Sequence, residues 1–350
     1  MSLRQSTVYQ NDIDSVLADS NINWDALKGK KMLITGASGL IGGLLVSCIV
    51  CGNQRGMLDC EIYALARNEE KARKLFGADF NDVNWIFSDV ETVDLGDIKP
   101  DYIIHAASPT SSKGFVEKPV EVLEAGILGT RNLLEQVAKQ GIEKFVYLST
   151  MEVYGAHQGD EKVTEDTQLS VDSAVVRNCY PISKIVAENL CVSYFSEYGV
   201  QISIARLTQT FGPGVAYDDG RVFAEFARCA IEKRDILLKT EGKTKRNYLY
   251  TADAARAIFT LLLTKDSDGE IYNVANEDTY CAIKEMAELV CGLYGGSIGF
   301  DLSHDTSAFA PTLCMNLSCE KIHKLGWKAE TPLEEMFKHL IEFMKADIDG

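Results

Sequence analysis

Up to residue 208, short apolar segments alternate with longer segments of helical pattern. The apolar segments have strand length: KKMLI (30–34), EIYALA (61–66), VNWIF (83–87), DYIIHAA (101–107), KFVYLST (144–150) and QISIARL (201–207). Helical patterns occupy residues 40–50, 69–76, 119–140 and 181–198. Strands that are apolar on both faces are typical of a parallel sheet covered by helices on its two sides. The pattern therefore predicts an α/β fold built on such a sheet.

After residue 208 the elements become shorter. A loop rich in glycine, proline and aspartate, FGPGVAYDDGR (211–221), comes first. Short strands are predicted at 236–239, 247–250 and 271–275, and helices at 251–264, near 282–293 and near 318–325. We therefore expect an N-terminal extension (1–29), a nucleotide-binding domain (30–208) and a smaller C-terminal region (209–350) that binds substrate over the carboxyl ends of the strands.

The segment TGASGLIGG (35–43) lies between the first predicted strand and the first predicted helix. Its glycines Gly36, Gly39 and Gly42 are three residues apart. Glycines at such a turn let backbone N–H groups approach a pyrophosphate at the positive end of a helix, although glycines also mark ordinary turns. With the alternating strands and helices, the motif predicts a Rossmann-type doubly wound sheet. The cofactor contacts expected here are Gly36, Ser38, Gly39, Leu40, Ile41 and Gly42.

Charge and composition exclude several other classes of protein. The chain has 350 residues, a net charge of -16 and no long basic run, which argues against binding nucleic acid. Apolar stretches stay below the roughly 18 residues that a membrane span needs, and the first residues are too polar for a signal peptide. We therefore expect a cytoplasmic protein with no membrane contact.

The ten cysteines contain a single C-x-x-C pair, Cys48 and Cys51, within the first apolar helix. Such a position favours reduced cysteines that act as small apolar residues over a metal or redox pair. No metal site is predicted.

Tyr180 and Lys184 are four residues apart in NCYPISKIVAENL, at the start of a predicted helix. Both side chains then lie on one face. An ammonium group near a phenol lowers the phenol pKa, so that the phenolate can take a proton from an alcohol. The segment YLSTMEVYG ends a predicted strand with Ser149 and Thr150, and Glu152 comes just after it, at the end of the strand where cofactor and substrate should meet.

Taken together, these motifs resemble an extended short-chain dehydrogenase/reductase of the nucleotide-sugar epimerase/dehydratase family. The resemblance rests on the glycine turn, HAAS (105–108), ST-x-EVYG (149–155) and Y-x-x-x-K (180–184), and it covers roughly residues 30 to 345. Within this family the chain is most similar to the UDP-glucuronate decarboxylases, or UDP-xylose synthases. That likeness rests on HAASPTS (105–111), RNCYPISK (177–184) and FGPGVAYDDGRVFAEF (211–226).

The resemblance implies roles for individual residues. Thr150 would bind the sugar hydroxyl that is oxidised, Tyr180 would be the base, Lys184 its activator and a ribose ligand, and Glu152 a second acid/base. Further implied cofactor contacts are Arg67, Asp89, Val90, Ala106, Ala107 and Ser108. Implied substrate contacts are Ser149, Arg221 and Arg246. NAD is the implied cofactor, a nucleotide sugar the substrate, and a homodimer the assembly.

Several positions depart from the family pattern. Met151 stands where the decarboxylases have serine and the dTDP-glucose dehydratases have a proton-donating aspartate, so dehydration is disfavoured. Gly126 replaces a usual asparagine, and Gly214 and Val215 replace an Arg-Met pair. The segment 307–327 lacks an arginine that normally contacts the nucleotide diphosphate. The second strand ends in ALARN without an acidic residue, so that Arg67 leaves NADP open as an alternative to NAD.

Three hypotheses about function follow. The first is a nucleotide-sugar enzyme that works through a transient 4-keto intermediate and regenerates its NAD, either a UDP-glucuronate decarboxylase or a 4-epimerase or 4,6-dehydratase. The second is a net NADP-dependent carbonyl reductase, which Arg67 favours and the DDGRV segment (218–222) disfavours. The third is a cofactor-binding sensor without catalysis, against which Thr150, Tyr180 and Lys184 argue.

Overall fold

The strands and helices of the protein alternate over most of its length. The computed structural model describes residues 1–303 and 312–349. The strands are β1 (Lys30–Thr35), β2 (Cys60–Ala66), β3 (Asn84–Phe87), β4 (Tyr102–His105), β5 (Lys144–Thr150), β6 (Lys162–Val163), β7 (Ile202–Leu207), β8 (Gln209–Phe211), β9 (Ile236–Leu238), β10 (Lys245–Tyr250), β11 (Glu270–Val274), β12 (Asn276–Ala282), β13 (Ile298–Phe300) and β14 (Cys314–Leu317). The helices are α1 (Thr7–Leu17), α2 (Leu40–Gln54), α3 (Glu69–Phe76), α4 (Gly114–Glu117), α5 (Pro119–Gln140), α6 (Cys179–Tyr198), α7 (Val222–Glu232), α8 (Thr251–Leu263), α9 (Ile283–Tyr294), α10 (Glu320–His323) and α11 (Leu333–Asp349).

A parallel sheet of seven strands forms the centre of the fold, in the order β3-β2-β1-β4-β5-β7-β11. Ile34 of β1 lies opposite Ala64 of β2 on one side and Ile104 of β4 on the other. The chain turns from β1 to β2 in one direction and from β4 to β5 in the other, so the strand order reverses between β1 and β4. This reversal leaves a crevice at the carboxyl ends of the strands, where such folds bind ligands. The predicted Rossmann-type doubly wound fold is confirmed.

The sheet has a hydrophobic core on each face. Met32 and Ile34 of β1 face α1, α2 and α8, whereas Leu33 faces α5 and α6. All three side chains are fully buried. Successive side chains of a strand point to opposite faces, so a strand covered on both faces needs apolar residues throughout. This explains the uniformly apolar strands of the sequence.

The C-terminal part of the chain contributes to the main sheet as well as to a separate layer. β6, β8, β10, β12 and β14 form a second sheet, and β9 pairs with β13. However, β11 joins the seven-stranded sheet, and α8 packs on β5 and β7. Residues after 208 therefore contribute one strand to the Rossmann sheet and most of the strands of the second layer. Residues 307–311 of the segment that lacks the family arginine lie outside the described residues.

The helix α1 was not predicted, and it packs against α2, α8 and α11. Its Asp12 is buried next to Tyr250, whose hydroxyl donates to Asp12 Oδ1 at 2.8 Å and lies 2.8 Å from His339 Nδ1. Burial, with a smaller contribution from the charge of Asp253, raises the pKa of Asp12 to about 7. The N-terminal extension is thus joined to the rest of the molecule through a buried acid.

We expect Asp12→Asn to flatten the pH dependence of stability. Because the pKa of Asp12 is about 7 in the folded chain and near 3.8 in the unfolded chain, wild-type stability falls as the pH rises between these values. Between pH 5 and pH 8 the variant should lose less free energy of unfolding than the wild type, by on the order of 2 kcal/mol. Urea denaturation at both pH values measures the difference, with Asp14→Asn on the exposed face of α1 as the control. An unchanged pH dependence in Asp12→Asn would contradict the assignment.

Candidate active site

The floor of the crevice is a chain of hydrogen bonds that joins β1, β4 and α5. Thr35 Oγ1 accepts from the Ala107 amide at 3.0 Å and lies 2.8 Å from His105 Nδ1. His105 Nε2 lies 3.1 Å from Thr130 Oγ1. Burial lowers the pKa of His105 to about 3, so the ring is neutral at physiological pH. These contacts hold the ends of two central strands in a fixed relation.

The glycine turn between β1 and α2 is shaped by its own backbone. Gly36 has a φ of +67°, and a Cβ there would lie 2.8 Å from the Ala107 nitrogen. A Cβ at Gly42 would overlap the Gly36 carbonyl oxygen. Of these three glycines, the exposed Gly39 has the most room, because a Cβ added to it would lie 3.1 Å from the Gly36 carbonyl oxygen. Gly36 and Gly42 are therefore required by the fold itself, and Gly39 is the glycine whose outer side is open to a ligand.

The other predicted cofactor residues lie around this turn with different exposures. Ser38, Leu40, Ile41, Ala106 and Ser108 are half-buried, as is Ala107, and Arg67 and Asp89 are exposed. Val90 is buried beneath Gly129 of α5. Asn68, which follows Arg67, caps α3 by accepting from the Lys71 amide at 2.8 Å. No carboxylate comes directly after β2, and Arg67 is the charged side chain there.

Lys184 is buried on α6, on the same side of the sheet as Tyr180. Its Nζ donates to the Leu148 carbonyl oxygen at 2.7 Å and lies 5.9 Å from the centre of the Tyr180 ring. Burial lowers the pKa of Lys184 to about 8. The predicted pairing of the two side chains on one helix face is thus realised, with the ammonium group anchored to β5.

Tyr180 lies between Phe115 and the end of β5. Its ring stacks on Phe115 with 4.5 Å between ring centres. Burial and then the charge of Glu152 raise the pKa of Tyr180, whereas a hydrogen bond from Thr150 and the charges of Arg177 and Arg221 lower it. The expectation that Lys184 brings the phenol toward neutral pH is not met in this structure, because burial dominates and the Lys184 Nζ is held by Leu148.

Glu152 is held beside Tyr180 by an arginine that the sequence interpretation did not identify. Arg177 Nη1 donates to Glu152 Oε2 at 2.7 Å. Thr150 caps the short 3-10 turn after β5 by accepting from the Glu152 amide at 3.3 Å. The only sequence signal for Arg177 was its place three residues before Tyr180 in RNCYPISK. The carboxylate and the phenol are therefore both fixed at the carboxyl end of β5.

Ser149, predicted to bind substrate, is hydrogen-bonded to α6, the helix that also carries Tyr180 and Lys184. Its hydroxyl donates to Glu188 Oε1 at 2.5 Å. Glu188 also accepts from Arg206 Nε at 3.0 Å and Nη2 at 2.7 Å, and all three residues are buried. Neighbouring residues of a strand face opposite sides of the sheet, so Ser149 and Thr150 point to different sides of β5. The Ser149 hydroxyl is thus used in a buried ion-pair network, and its contact with substrate stays a prediction.

The two predicted substrate arginines differ in how far they are already paired. Arg221 binds the carboxylate of Asp219 through Nε at 3.0 Å and Nη2 at 2.6 Å. Arg246 contacts Gln209 Oε1 through Nη1 at only 3.4 Å, and its Nε is buried without a hydrogen-bond partner among the described residues. An arginine with unused donors is suited to bind an anion. Arg246 therefore has the greater capacity for an anionic ligand.

Comparison with known proteins identifies the family. The model of the NAD-dependent epimerase/dehydratase family matches residues 32–275. The chain belongs to this family. The match includes the glycine turn, Thr150, Tyr180 and Lys184, and it confirms the family that the motifs predicted. The protein is an enzyme of the NAD-dependent epimerase/dehydratase family.

Relatives with named activities resemble the chain over most of its length. UDP-glucuronic acid decarboxylase 1 of Xenopus tropicalis is 27% identical over 331 residues, which is 91% of this chain and 73% of the relative. The dTDP-D-glucose 4,6-dehydratase of Mus musculus is 27% identical, over 90% of this chain and 89% of the relative. UDP-glucuronic acid 4-epimerase from Bacillus cereus, solved with NAD, has a TM-score of 0.75 at 22% identity, covering 91% of this chain and 98% of the epimerase.

Packing explains two departures from the family pattern. A Cβ at Gly126 of α5 would lie 2.8 Å from Ser183 Cβ on α6, so these helices approach too closely for an asparagine. Met151 is buried, and its sulfur accepts from the Thr208 hydroxyl at 3.2 Å. The Met151 side chain therefore provides no proton donor to the crevice, in line with the expectation that dehydration is disfavoured.

Three further observations concern metal ligands, cysteines and membrane helices in the part of the chain that the structure describes. Across residues 1–303 and 312–349, no group of three or more His, Cys, Asp and Glu side chains is arranged to hold a metal ion. Cys48 and Cys51 are free and buried in α2. In the same part of the chain, no helix combines the length and the apolar character needed to cross a membrane.

Proposed function

We propose that the enzyme converts a nucleotide sugar through a transient 4-keto intermediate with a regenerated NAD cofactor, and that UDP-glucuronate decarboxylation is its reaction. The observation that carries the proposal is the placement of Tyr180, Lys184 and Glu152 at the carboxyl end of β5, the same edge of the sheet at which the glycine turn follows β1. The likeness to the UDP-glucuronic acid decarboxylases supports the choice of reaction. Bound NAD supplies the group that takes hydride from the sugar and gives it back.

In this proposal, Thr150 and Tyr180 act on the sugar hydroxyl at C4. Thr150 orients the hydroxyl and hydrogen-bonds to Tyr180. Tyr180 first gives its own proton to solvent, and its phenolate then takes the proton of the sugar hydroxyl. Lys184, fixed on Leu148, supplies positive charge that stabilises this phenolate and can bind the cofactor ribose. Because burial raises the pKa of Tyr180, the phenolate needs this stabilisation in order to form.

Glu152 acts after the ketone has formed. A carboxylate β to a ketone loses CO₂, and the enolate that remains must gain a proton. Glu152 is next to Tyr180, and its carboxylate is held by Arg177 at 2.7 Å, so a proton that it takes from solvent can be passed to the enolate from a fixed position.

Arg246 is the proposed anchor for the anionic part of the substrate. Its buried Nε and weakly engaged Nη1 offer donors that a diphosphate or a carboxylate would accept. The charge of Arg221 is already balanced by Asp219, so Arg221 would bind the substrate mainly through a hydrogen bond. Arg221 directly precedes α7, and Arg246 is the second residue of β10.

Two alternatives retain specific support. A nucleotide-sugar 4-epimerase or a 4,6-dehydratase would use the same oxidation, and proteins of both kinds are among the relatives. A net NADP-dependent carbonyl reductase is favoured by the exposed Arg67 after β2. The buried Met151 argues against dehydration, because that reaction requires a proton donor at the leaving hydroxyl.

Arg67→Ala distinguishes NADP from NAD as the cofactor. If Arg67 binds a 2′-phosphate, the variant should bind NADP more weakly by about 1–3 kcal/mol and bind NAD nearly as before. Titration of the intrinsic fluorescence with each cofactor measures both affinities. Equal losses for the two cofactors would mean that Arg67 only packs on the adenine.

We further propose that the protein forms a homodimer through α5 and α6. These helices pack on each other and expose apolar side chains: Val120, Leu128, Val186 and Val192. Exposed apolar residues on two adjacent helices fit a self-complementary contact with a second copy. Analytical ultracentrifugation should give twice the 38.6 kDa mass of the chain, and Leu128→Glu should shift the protein toward monomer.

Product analysis tests the proposed reaction. The enzyme is incubated with UDP-glucuronate and a small amount of NAD, and the sugar nucleotides are followed by proton NMR. We expect a UDP-pentose and one CO₂ per substrate. A UDP-hexuronate that differs only at C4 would indicate the epimerase instead. Failure with UDP-glucuronate, UDP-glucose and dTDP-glucose, together with oxidation of NADPH by simple ketones, would overturn the proposal.

A further inference from the structure

The first residues of the chain precede the part that matches the family model, which begins at residue 32. They are nevertheless packed inside the protein, because Leu3 and Tyr9 are 7% and 1% exposed. A segment that only preceded the fold would not bury such side chains. Its contacts therefore indicate what it does.

Leu3 and Tyr9 both contact the cofactor helix α2 and the loop 211–221, which we call the substrate loop. A Cβ added to Gly43 in α2 would lie 3.6 Å from Leu3 Cδ1 and 3.9 Å from the Tyr9 hydroxyl oxygen. A Cβ added to Gly214 in the substrate loop would lie 3.6 Å from Tyr9 Cε2 and 3.9 Å from Leu3 Cδ2. The same added Cβ at Gly214 would lie 3.2 Å from Leu40 Cδ1, at the start of α2. The two side chains thus fill the space between the helix and the loop.

The start of the substrate loop is supported by the same helix. Gly212 packs against the Tyr250 ring, whose Cε2 is 2.8 Å from the Gly212 Cβ position. The Tyr250 hydroxyl donates to Asp12 of α1. Within the loop, Val215 is buried, and Arg221 at the end of the loop directly precedes α7. The N-terminal segment therefore supports the loop directly at Gly214 and through Tyr250 at Gly212.

These contacts also explain the change from arginine to glycine in FGPG. Gly214 has a φ of +98°, which favours glycine. A side chain added to Gly214 would point at Leu3, Tyr9 and Leu40. A long side chain at this position would meet the N-terminal segment. The apolar pair Leu3 and Tyr9 takes the place beside the cofactor helix that a side chain at residue 214 would otherwise occupy.

We propose that residues 1–17 position the substrate loop against the cofactor helix, with Leu3 and Tyr9 as the positioning residues. In this role they hold the loop in the position in which it binds substrate. The role in substrate binding rests on the proposed function, whereas the support of the loop rests on the contacts alone. Loss of these side chains should loosen the loop and weaken substrate binding while the chemical groups on β5 and α6 stay in place.

Hydrogen–deuterium exchange of the full-length protein without ligands tests the support directly. We expect Tyr9→Leu and Leu3→Ala each to speed amide exchange in peptides covering residues 211–221 by about tenfold or more. The matched control is Val16→Ala, which also removes a buried apolar side chain from α1 but leaves Leu3 and Tyr9 unchanged. Thermal unfolding of each variant verifies that it is folded, and Leu3→Ala keeps the test valid if Tyr9→Leu does not fold.

Steady-state kinetics with UDP-glucuronate then tests the effect on substrate. For Leu3→Ala and Tyr9→Leu we expect KM to rise by about tenfold while kcat stays within about twofold of the wild type, as for a loss of uniform binding. If loop exchange in these variants matches that of Val16→Ala, the proposal is overturned. Exchange is measured without substrate, so this result does not depend on the proposed function. A wild-type enzyme that does not turn over UDP-glucuronate would count against the proposed function instead.

Discussion

Tyr180→Phe is expected to lower the rate of sugar oxidation by about 10²–10⁴-fold, the usual contribution of a positioned general base. The phenylalanine keeps the stacking on Phe115, so the fold around the site should be unchanged. Without the phenol oxygen, the sugar hydroxyl bound by Thr150 has no group to take its proton. Rapid mixing of enzyme, NAD and sugar nucleotide, followed at the absorbance of reduced nicotinamide, measures the effect.

Tyr147→Phe is the matched control for this experiment. The Tyr147 ring lies 4.8 Å from Lys184 Nζ, on β5, but it has no proposed part in the proton transfer. Its variant should oxidise the sugar at close to the wild-type rate. Equal loss in the two variants, or a Tyr180→Phe enzyme that keeps its activity, would contradict the role of Tyr180.

Glu152→Gln should separate sugar oxidation from the later proton transfer. The amide keeps the shape of the side chain and an acceptor for Arg177, but it cannot exchange a proton. Oxidation should therefore proceed while product formation falls by about 10²–10⁴-fold. Reduced nicotinamide and the keto sugar should accumulate, and rapid mixing with UDP-glucuronate followed by mass spectrometry of the quenched mixture detects both.

Arg177→Ala gives the internal comparison. It leaves the carboxyl group of Glu152 intact but removes the donor that holds it at 2.7 Å. We expect a smaller fall in product formation than in Glu152→Gln, without loss of sugar oxidation. Turnover of Glu152→Gln at the wild-type rate would make Glu152 a bystander and would remove the main support for decarboxylation.

Local patterns in the sequence were enough to predict the fold and the centre of the site. Each strand of the seven-stranded sheet was predicted. The inner strands are mostly apolar because both of their faces are buried, whereas the edge strand β3 is partly exposed. Tyr180 and Lys184 were brought together by helical spacing, which depends only on the local backbone. The glycine turn was found for the same reason, since the φ of +67° at Gly36 favours glycine.

The parts that were not predicted depend on contacts between distant segments. Ser149 faces Glu188 and Arg206, which are 39 and 57 residues further along the chain, and strand orientation alone would have shown only that it faces away from Thr150. Arg177 reaches Glu152 across 25 residues. The N-terminal helix α1 looked like a polar extension, because its burial arises from the surfaces of α2, α8 and α11.

The transfer of deuterium from C4 of the sugar tests the central claim most directly. UDP-glucuronate with deuterium at C4 is incubated with the enzyme and with much less NAD than sugar, and the product is analysed by mass spectrometry and NMR. Our account predicts that the product keeps the deuterium at C4 and that the cofactor is not consumed, whichever later reaction follows. Loss of the deuterium to the pool of free cofactor, with one cofactor consumed for each product, would contradict it.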